Sequence, residues 1–397
     1  MKHTRLIVMV ALMATIVALA VPGWAQQKAP YVIGVILDMT GRQSNLGIGE
    51  KRGFDIALEE VNKAGGANGR QLQVVYLDGE SDPAKAVIHT KRLIEVDKAA
   101  VLGGYTASSS TMASMQTAEE GKTPLIASSP IVAEGAAVKK WVFTVVPRQK
   151  EASLPMLLEA MAQGGSKKIA YLYIDNVFGQ NGLAVMDEAT KSMNLKLAVV
   201  EKYAVDSTDL GPQVTHIKAA DADGLIITGN VPDTTMAIKN ARELGFTAPI
   251  FSDYAVVSPE FITLAGKYGE GVVSTSLKTL IAPDLPASDP QKKVCMDLYN
   301  KYTKAYGAFS LYAGHGWDQI HMIADTLKKI DGTLDPSKPE DLTKIREQFR
   351  DKYEAIKGFV GQNGIFNITP TNHNGLPYKC YALVVIQNGA WRLYKGK

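Results

Sequence analysis

From Tyr31 to Asp38 the chain reads YVIGVILD, an apolar run with no polar alternation. A strand with one wet face would alternate. A run apolar throughout predicts a strand covered on both faces. A glycine-rich loop follows. Phe54, Ala57, Leu58 and Val61 then recur at i, i+3, i+4 and i+7, the spacing of one buried helix face. Gly65 and Gly66 can end that helix in left-handed backbone. Gln71 to Asp78 predicts the next strand. Asp82-Pro83 predicts a helix start, with Asp82 as the cap and Pro83 in the first turn. Ala100 to Gly104 and Pro124 to Ala127 read as a third and fourth strand.

Alternating strands and helices imply parallel pairing with helices on both sheet faces. The rhythm restarts near Lys168. Strands are expected at Lys168 to Ile174, Lys196 to Tyr203, Gly224 to Thr228 and Ala248 to Ser252. Helices are expected at Gly182 to Met193 and around Leu210 to Ala219. The chain therefore reads as two α/β halves joined near Val146 to Ser153. After about Val273 the rhythm loosens. Two long helices (Pro290 to Tyr306 and Ala313 to Ile330) precede strands near Ile365 to Ile368 and Lys379 to Gln387. A chain that leaves one lobe, builds a second and then returns explains this order.

Ahead of Tyr31, Lys2 and Arg5 give a positive start, Leu6 to Val21 is almost wholly apolar, and Gly23-Trp24-Ala25 supplies small residues at a cleavage position. This is the three-part pattern of a secretory signal over residues 1–25, and it implies a soluble exported protein. Of 397 residues, 372 remain once 25 are removed, enough for two domains. The formal charge of +3 falls to +1 when Lys2 and Arg5 go, so no basic excess points to nucleic acid. The two cysteines, Cys295 and Cys380, lie in segments of helical and strand character. They are too few for a disulfide scaffold, and their pairing is not expected.

The segment GGYTASSSTMA, residues 103–113, places three serines directly after a strand. They suit either a nucleophile or an anion cradle. Signs of catalysis are missing. No G-x-S-x-G surrounds Ser108, and the six histidines show no metal spacing. His315 in AGHGWD is the most site-like of the histidines, but it reads first as a helix-start histidine packed near Trp317. Gly47-Ile48-Gly49 opens a helix, but the third glycine of a dinucleotide fingerprint is displaced to Gly53. Glu59-Glu60, Glu119-Glu120, Lys139-Lys140 and Lys167-Lys168 read as surface charge. No cofactor and no metal is implied. A helix that starts after a parallel strand offers unpaired N–H groups and a positive dipole end, and serines there add hydroxyl donors. Each charge-assisted bond to a carboxylate contributes roughly 1.5–3 kcal/mol. Ser108 or Ser109 is the expected donor, or one of them caps the helix. Ser128-Ser129 would add a second wall.

The stretch VIGVILDMTGRQSNLGIGEKRGFDIALEEVNKAGGANGRQLQVVYLDGESDPAKAV closely resembles the opening of the periplasmic branched-chain amino acid binding proteins of ABC transporters. The G–x–x–x–S–S–S–T segment, the DNVFGQNG loop and GFVGQNGIFNI fit as well, so the resemblance spans the mature chain. It implies an α/β fold of the type I periplasmic binding class: two Rossmann-like lobes with parallel-rich sheets, joined by three crossovers. The lobes would be residues 31–146 with 280–369, and 147–276 with 372–397. It also implies a periplasmic monomer that takes a small carboxylate or amino acid ligand and hands it to a membrane permease. By the same resemblance, Ser108 would hold the ligand's carboxylate and the Ser129 carbonyl its amine. Phe178 keeps an aromatic position, and Tyr105 is expected beside the ligand. Four positions depart from the pattern. Ile131 stands for a threonine, Leu46 and Asn230 stand for aromatics, and the acid that pairs with an ammonium falls at Tyr254, with Asp253 next to it. A buried ammonium needs an anion or several acceptors. The ligand is thus either an amino acid, if Asp253 turns inward, or an aromatic or aliphatic acid without an amine, with a small amide as a third option. A sensor on the same fold, or remotely a secreted serine hydrolase, would be the alternatives.

Overall fold

In the computed structural model, residues 28–130, 139–149, 153–378 and 380–396 are described. The expected signal segment lies outside them. Five strands open the chain: β1 (Tyr31–Leu37), β2 (Leu72–Asp78), β3 (Val101–Gly104), β4 (Leu125–Ala127) and β5 (Val142–Thr144). They form one sheet in the order β2-β1-β3-β4-β5, parallel throughout. β1 lies inside the sheet, between β2 and β3, and is buried along nearly its whole length, as an unalternating apolar run requires. Helices α1 (Ser44–Lys63), α2 (Pro83–Glu95) and α3 (Ser108–Glu120) connect the strands. Asp82 caps α2, its side chain accepting from the Ala84 N–H at 2.8 Å.

A second sheet follows. It uses β6 (Lys168–Ile174), β7 (Lys196–Tyr203), β8 (Gly224–Thr228), β9 (Ile250–Ser252) and β10 (Val273–Ser276) in the parallel order β7-β6-β8-β9-β10. Two late strands, β13 (Ala382–Gln387) and β14 (Ala390–Leu393), extend it antiparallel beyond β10. Helices α4 (Leu154–Gln163), α5 (Val177–Ser192), α6 (Gly211–Ala219), α7 (Asp233–Glu243) and α8 (Pro259–Ala265) belong to this half. Between β10 and β13 come α9 (Lys292–Tyr306), α10 (Ala313–Leu327), α11 (Pro339–Tyr353) and a ribbon of β11 (Lys357–Val360) with β12 (Ile365–Asn367). These pack on the first sheet: α10 lies along α1, and Tyr353 of α11 meets Phe143 of β5 edge-on at 4.8 Å. We call each sheet with its covering elements a lobe.

The chain thus passes between lobes after β5, after β10 and after β12. The passages are bonded to one another. Asn374 donates to the Val146 carbonyl at 2.8 Å, and the Thr144 N–H donates to the His373 carbonyl at 3.2 Å. No disulfide links Cys295 to Cys380.

Two element starts differ from expectation, one for a packing reason and one for a capping reason. The glycine-rich loop before Phe54 is instead the first turns of α1, which begins at Ser44. A Cβ on Gly47 would stand 2.2 Å from the Asp38 carbonyl oxygen, and one on Gly53 1.9 Å from that of Ala313. Its glycines let the helix approach β1 and α10 backbone to backbone, so the G-x-G is a packing device and not a phosphate loop. α5 begins at Val177 and not at Gly182, because Asn176 caps it by accepting from the Gly179 N–H at 3.0 Å.

Candidate functional site

The carboxyl ends of the parallel strands in both lobes face one another. From the first lobe come Thr106 and Ser108 after β3, and Ser128 and Pro130 after β4. Gln43, Leu46 and Glu50 reach in from α1, and Tyr312 and His315 from the start of α10. The second lobe supplies Phe178 on α5, Asn230 after β8, and Tyr254 with Ala255 in a single 3-10 turn after β9. Together they enclose a cavity of about 30 Å³, room for roughly two waters. The lobes are drawn together over it. The Tyr312 hydroxyl donates to the Ala255 carbonyl at 2.6 Å. Arg42 forks onto both carboxylate oxygens of Asp233, at 2.6 and 2.7 Å, and also bonds Asp206.

Of the expected site residues, Leu46, Ser108, Phe178, Asn230 and Tyr254 line this cavity. Tyr105, Ser109, Ser129 and Asp253 do not. Tyr105 adopts left-handed backbone (φ 60°) and turns its hydroxyl to Thr90 on α2, at 2.8 Å. Ser109 is half-buried on α3, a helical step round from Ser108. The Ser129 hydroxyl pairs with Thr111 at 2.7 Å, and its carbonyl, the expected amine acceptor, takes the Thr144 hydroxyl at 2.8 Å. Its neighbour Ser128 lines the cavity instead. Asp253 does not turn inward. It lies buried against the passage out of the first lobe, accepting from Gln149 at 2.9 Å, from its neighbour's N–H at 2.7 Å and from the Ser153 hydroxyl. Two donors in that passage and the adjacent backbone N–H outcompete the cleft for its carboxylate. Ile131 lies outside the described residues.

The contributors that escaped the sequence reading include Arg42, Glu50, Thr106, Tyr312 and Asp233. Glu50 stands one helical turn beyond Leu46, a signal legible only once α1 is known to start at Ser44. His315 is a correction. Trp317 instead sets its ring against His321, ring centres 3.9 Å apart and the planes tilted by 36°. His315 instead meets Tyr312 edge-on at 5.7 Å, and its Nδ1 is 3.6 Å from Glu50 Oε1. Glu60, read as plain surface charge, is half-buried between Lys301 and His321.

The hydroxyls on the first-lobe wall are largely committed. Thr106 donates to Glu50 Oε2 at 2.7 Å, and Ser108 donates to the Pro130 carbonyl at 3.2 Å. Ser108 therefore neither caps α3 nor meets a base. Ser128 accepts from Gln319 at 2.7 Å, so its own proton points elsewhere. Burial pushes the Glu50 carboxyl well above the usual range; the Thr106 bond opposes this and the nearby Asp38 adds to it. Burial likewise raises Asp38 to about 6, against a bond from the Ser81 N–H and with help from Asp78. Burial lowers His315 to about 3, so its ring is neutral near pH 7. Among the described residues no cluster of histidine, cysteine, aspartate and glutamate is suited to hold a metal ion, and no helix is long and apolar enough to cross a membrane.

Comparison with known proteins agrees with this architecture. The family model described as periplasmic binding protein matches residues 30–390. A Pseudomonas aeruginosa protein named amino acid binding protein is 31% identical over 256 residues, covering 62% of this chain and 67% of that one. The leucine-, isoleucine-, valine-, threonine-, and alanine-binding protein of the same organism is 26% identical over 329 residues, covering 81% and 84%. Among solved structures, an extracellular ligand-binding receptor from Rhodopseudomonas palustris HaA2 superposes with TM-score 0.82 at 28% identity, over 92% of this chain and all of that one. A leucine binding protein from Thermotoga maritima shares the fold, with TM-score 0.76 at 24% identity over 91% of this chain and 97% of that one.

Proposed function

From the premise that this chain belongs to the periplasmic binding protein family, matched over residues 30–390, we propose that it is the solute-binding component of an ABC importer and captures a small carboxylate without an amine. It would act in the periplasm once residues 1–25 are removed. The lobes, residues 31–146 with 280–369 and 147–276 with 372–397, would move as units about the three passages. Each wall carries part of the site. A ligand seated on the first-lobe hydroxyls and the first N–H groups of α3 would favour closure through its contacts to Phe178, Asn230 and Tyr254. The Arg42–Asp233 fork and the Tyr312–Ala255 bond join the lobes only when they are together. A permease would then read the closed form, and no chemistry is done on the ligand.

The observation that carries the ligand class is the placement of Asp253 and Tyr254. A phenol lines the second-lobe wall where an ammonium would need a carboxylate, and the adjacent acid is bonded into the interlobe passage. Phe178 and Tyr254, edge-on with ring centres 6.1 Å apart, present an aromatic wall suited to an apolar or aromatic body. A second reading is favoured by Glu50, which lines the cavity and could ionise beside an ammonium. It agrees with the amino acids in the names of the Pseudomonas relatives. A thermal-shift screen of refolded protein separates them, with leucine, valine and alanine in one panel and benzoate, phenylacetate and 3-phenylpropanoate in the other. A ligand at a hundredfold excess over its Kd stabilises the fold by roughly 2.7 kcal/mol. A shift with leucine alone would overturn the amine-free reading.

A further inference from the structure

His315 is wholly buried and lines the cavity, and neither ring nitrogen has a hydrogen-bond partner among the described residues. Buried polar atoms are ordinarily satisfied, so two orphans on one ring at a cavity wall mark a place where a partner is to be supplied. Its neighbour Glu50 leaves Oε1 3.6 Å from the ring, beyond a hydrogen bond. The cavity has no lysine or arginine among its described lining residues. Arg42 is already spent on two carboxylates, Asp206 and Asp233. A carboxylate entering this cavity would therefore meet hydroxyls but no cation, and burying an unpaired anion is costly. Among the described lining residues, His315 is the one side chain able to become a cation.

We propose that His315, with Glu50 behind it, makes the cleft bind a carboxylate together with one proton taken from solvent. The inference rests on the carboxylate reading above. The groups facing the ring are Glu50 on α1, with Asp38 behind it at the end of β1, Tyr312 on its own helix and Tyr254 from the second lobe. Asp318, farther along α10, is occupied with the backbone of Gln362 and Asn363. Burial holds the Glu50 carboxyl toward its protonated form, and Asp38 behind it adds to this. A protonated Glu50 adds no full negative charge beside the ring to compete with the ligand. An arriving carboxylate favours the imidazolium, as any opposite charge at contact distance does. The product is a neutral imidazolium–carboxylate pair with Glu50 still protonated.

The test is calorimetric titration with benzoate, phenylacetate and 3-phenylpropanoate in phosphate and in Tris, whose ionisation enthalpies differ. In the wild type the difference between buffers should report about one proton taken up per bound acid, and Kd should rise about tenfold per pH unit between about pH 6 and 8. In His315→Gln, which keeps a hydrogen-bond donor but no titration, uptake should vanish, the pH slope should flatten and binding at the lower pH should weaken. Binding without proton uptake in the wild type overturns the inference and leaves the carboxylate reading standing, and that measurement needs no variant to fold. Retained uptake in a folded His315→Gln protein also overturns it. If none of the three acids binds, the carboxylate reading itself falls and the inference with it.

Discussion

Arg42 lies ahead of α1 in the first lobe, and its guanidinium forks onto Asp233 in the second, at 2.6 and 2.7 Å. Replacing it by alanine tests whether this contact holds the cleft shut. The pair's Coulomb attraction overstates its worth. Burial, with the nearby Asp206 charge, opposes ionisation of Asp233 more strongly than Arg42 favours it, so its pKa stands above the ordinary value even with the cation attached. Removing Arg42 is costlier than the pair is favourable, because Asp233, 4% exposed, is left as an uncompensated buried acid. A fully buried orphan would cost about 3–5 kcal/mol. Two features reduce this. Arg42 is 35% exposed and screened, and Asp233 regains water when the lobes part. The Asp206 bond, to a side chain 74% exposed, adds little. The expected loss is about 1–3 kcal/mol in the closed form only, or about 5- to 150-fold in Kd. It should be carried mainly by faster dissociation. Stopped-flow dissociation and calorimetry on Arg42→Ala, using whichever acid or amino acid stabilises the wild type most, would measure it. A Kd and dissociation rate within about twofold of wild type would refute the reasoning, since the smallest effect expected is about fivefold.

Ser108→Ala should weaken a carboxylate ligand by about 1–3 kcal/mol in calorimetry, while an unchanged Kd would remove Ser108 from the cradle. Asp253→Asn should lower Tm without abolishing binding: it loses acceptor capacity facing Gln149 and Ser153, at a cost of about 1–3 kcal/mol. Loss of leucine binding at unchanged Tm would instead make Asp253 a ligand contact. Asp38 has a folded pKa raised to about 6 from 3.8. The folded state therefore holds the proton more tightly than the unfolded chain, and stability is lost as pH rises from about 4 to 6 and stays lower above. Asp38→Asn should relieve up to about 3 kcal/mol of this penalty at pH 7 and none near pH 4, read as Tm at the two pH values. An equal change at both would show that the effect is not electrostatic.

Much of this molecule was legible along the chain because it is local. The apolar runs of β1, β6 and β8 announce doubly covered strands, and Asp82-Pro83 announces α2 through a cap that needs only its own neighbours. Ser108 could be placed at a ligand-facing helix start because a parallel strand followed at once by a helix directs that end outward. The resemblance to a known family supplied Leu46, Phe178, Asn230 and Tyr254, all of which line the cavity.

What failed did so wherever the outcome depended on a distant segment. The glycines of α1 read as a loop because their purpose, room for the backbones of Asp38 and Ala313, lies elsewhere in the chain. Asp253 and Tyr254 are adjacent, and nothing local says which faces the cleft; Gln149 and Ser153, a hundred positions earlier, decide it. The same holds for His315. On its own helix it is a small-residue neighbour of a tryptophan, and only the approach of α1 brings Glu50 beside it and leaves its ring without a partner. Strand burial, caps and helix starts follow from short-range propensity and periodicity, which the sequence alone determines. Which polar group faces a cleft depends on the competing donors that folding brings within reach, and only the tertiary structure decides that.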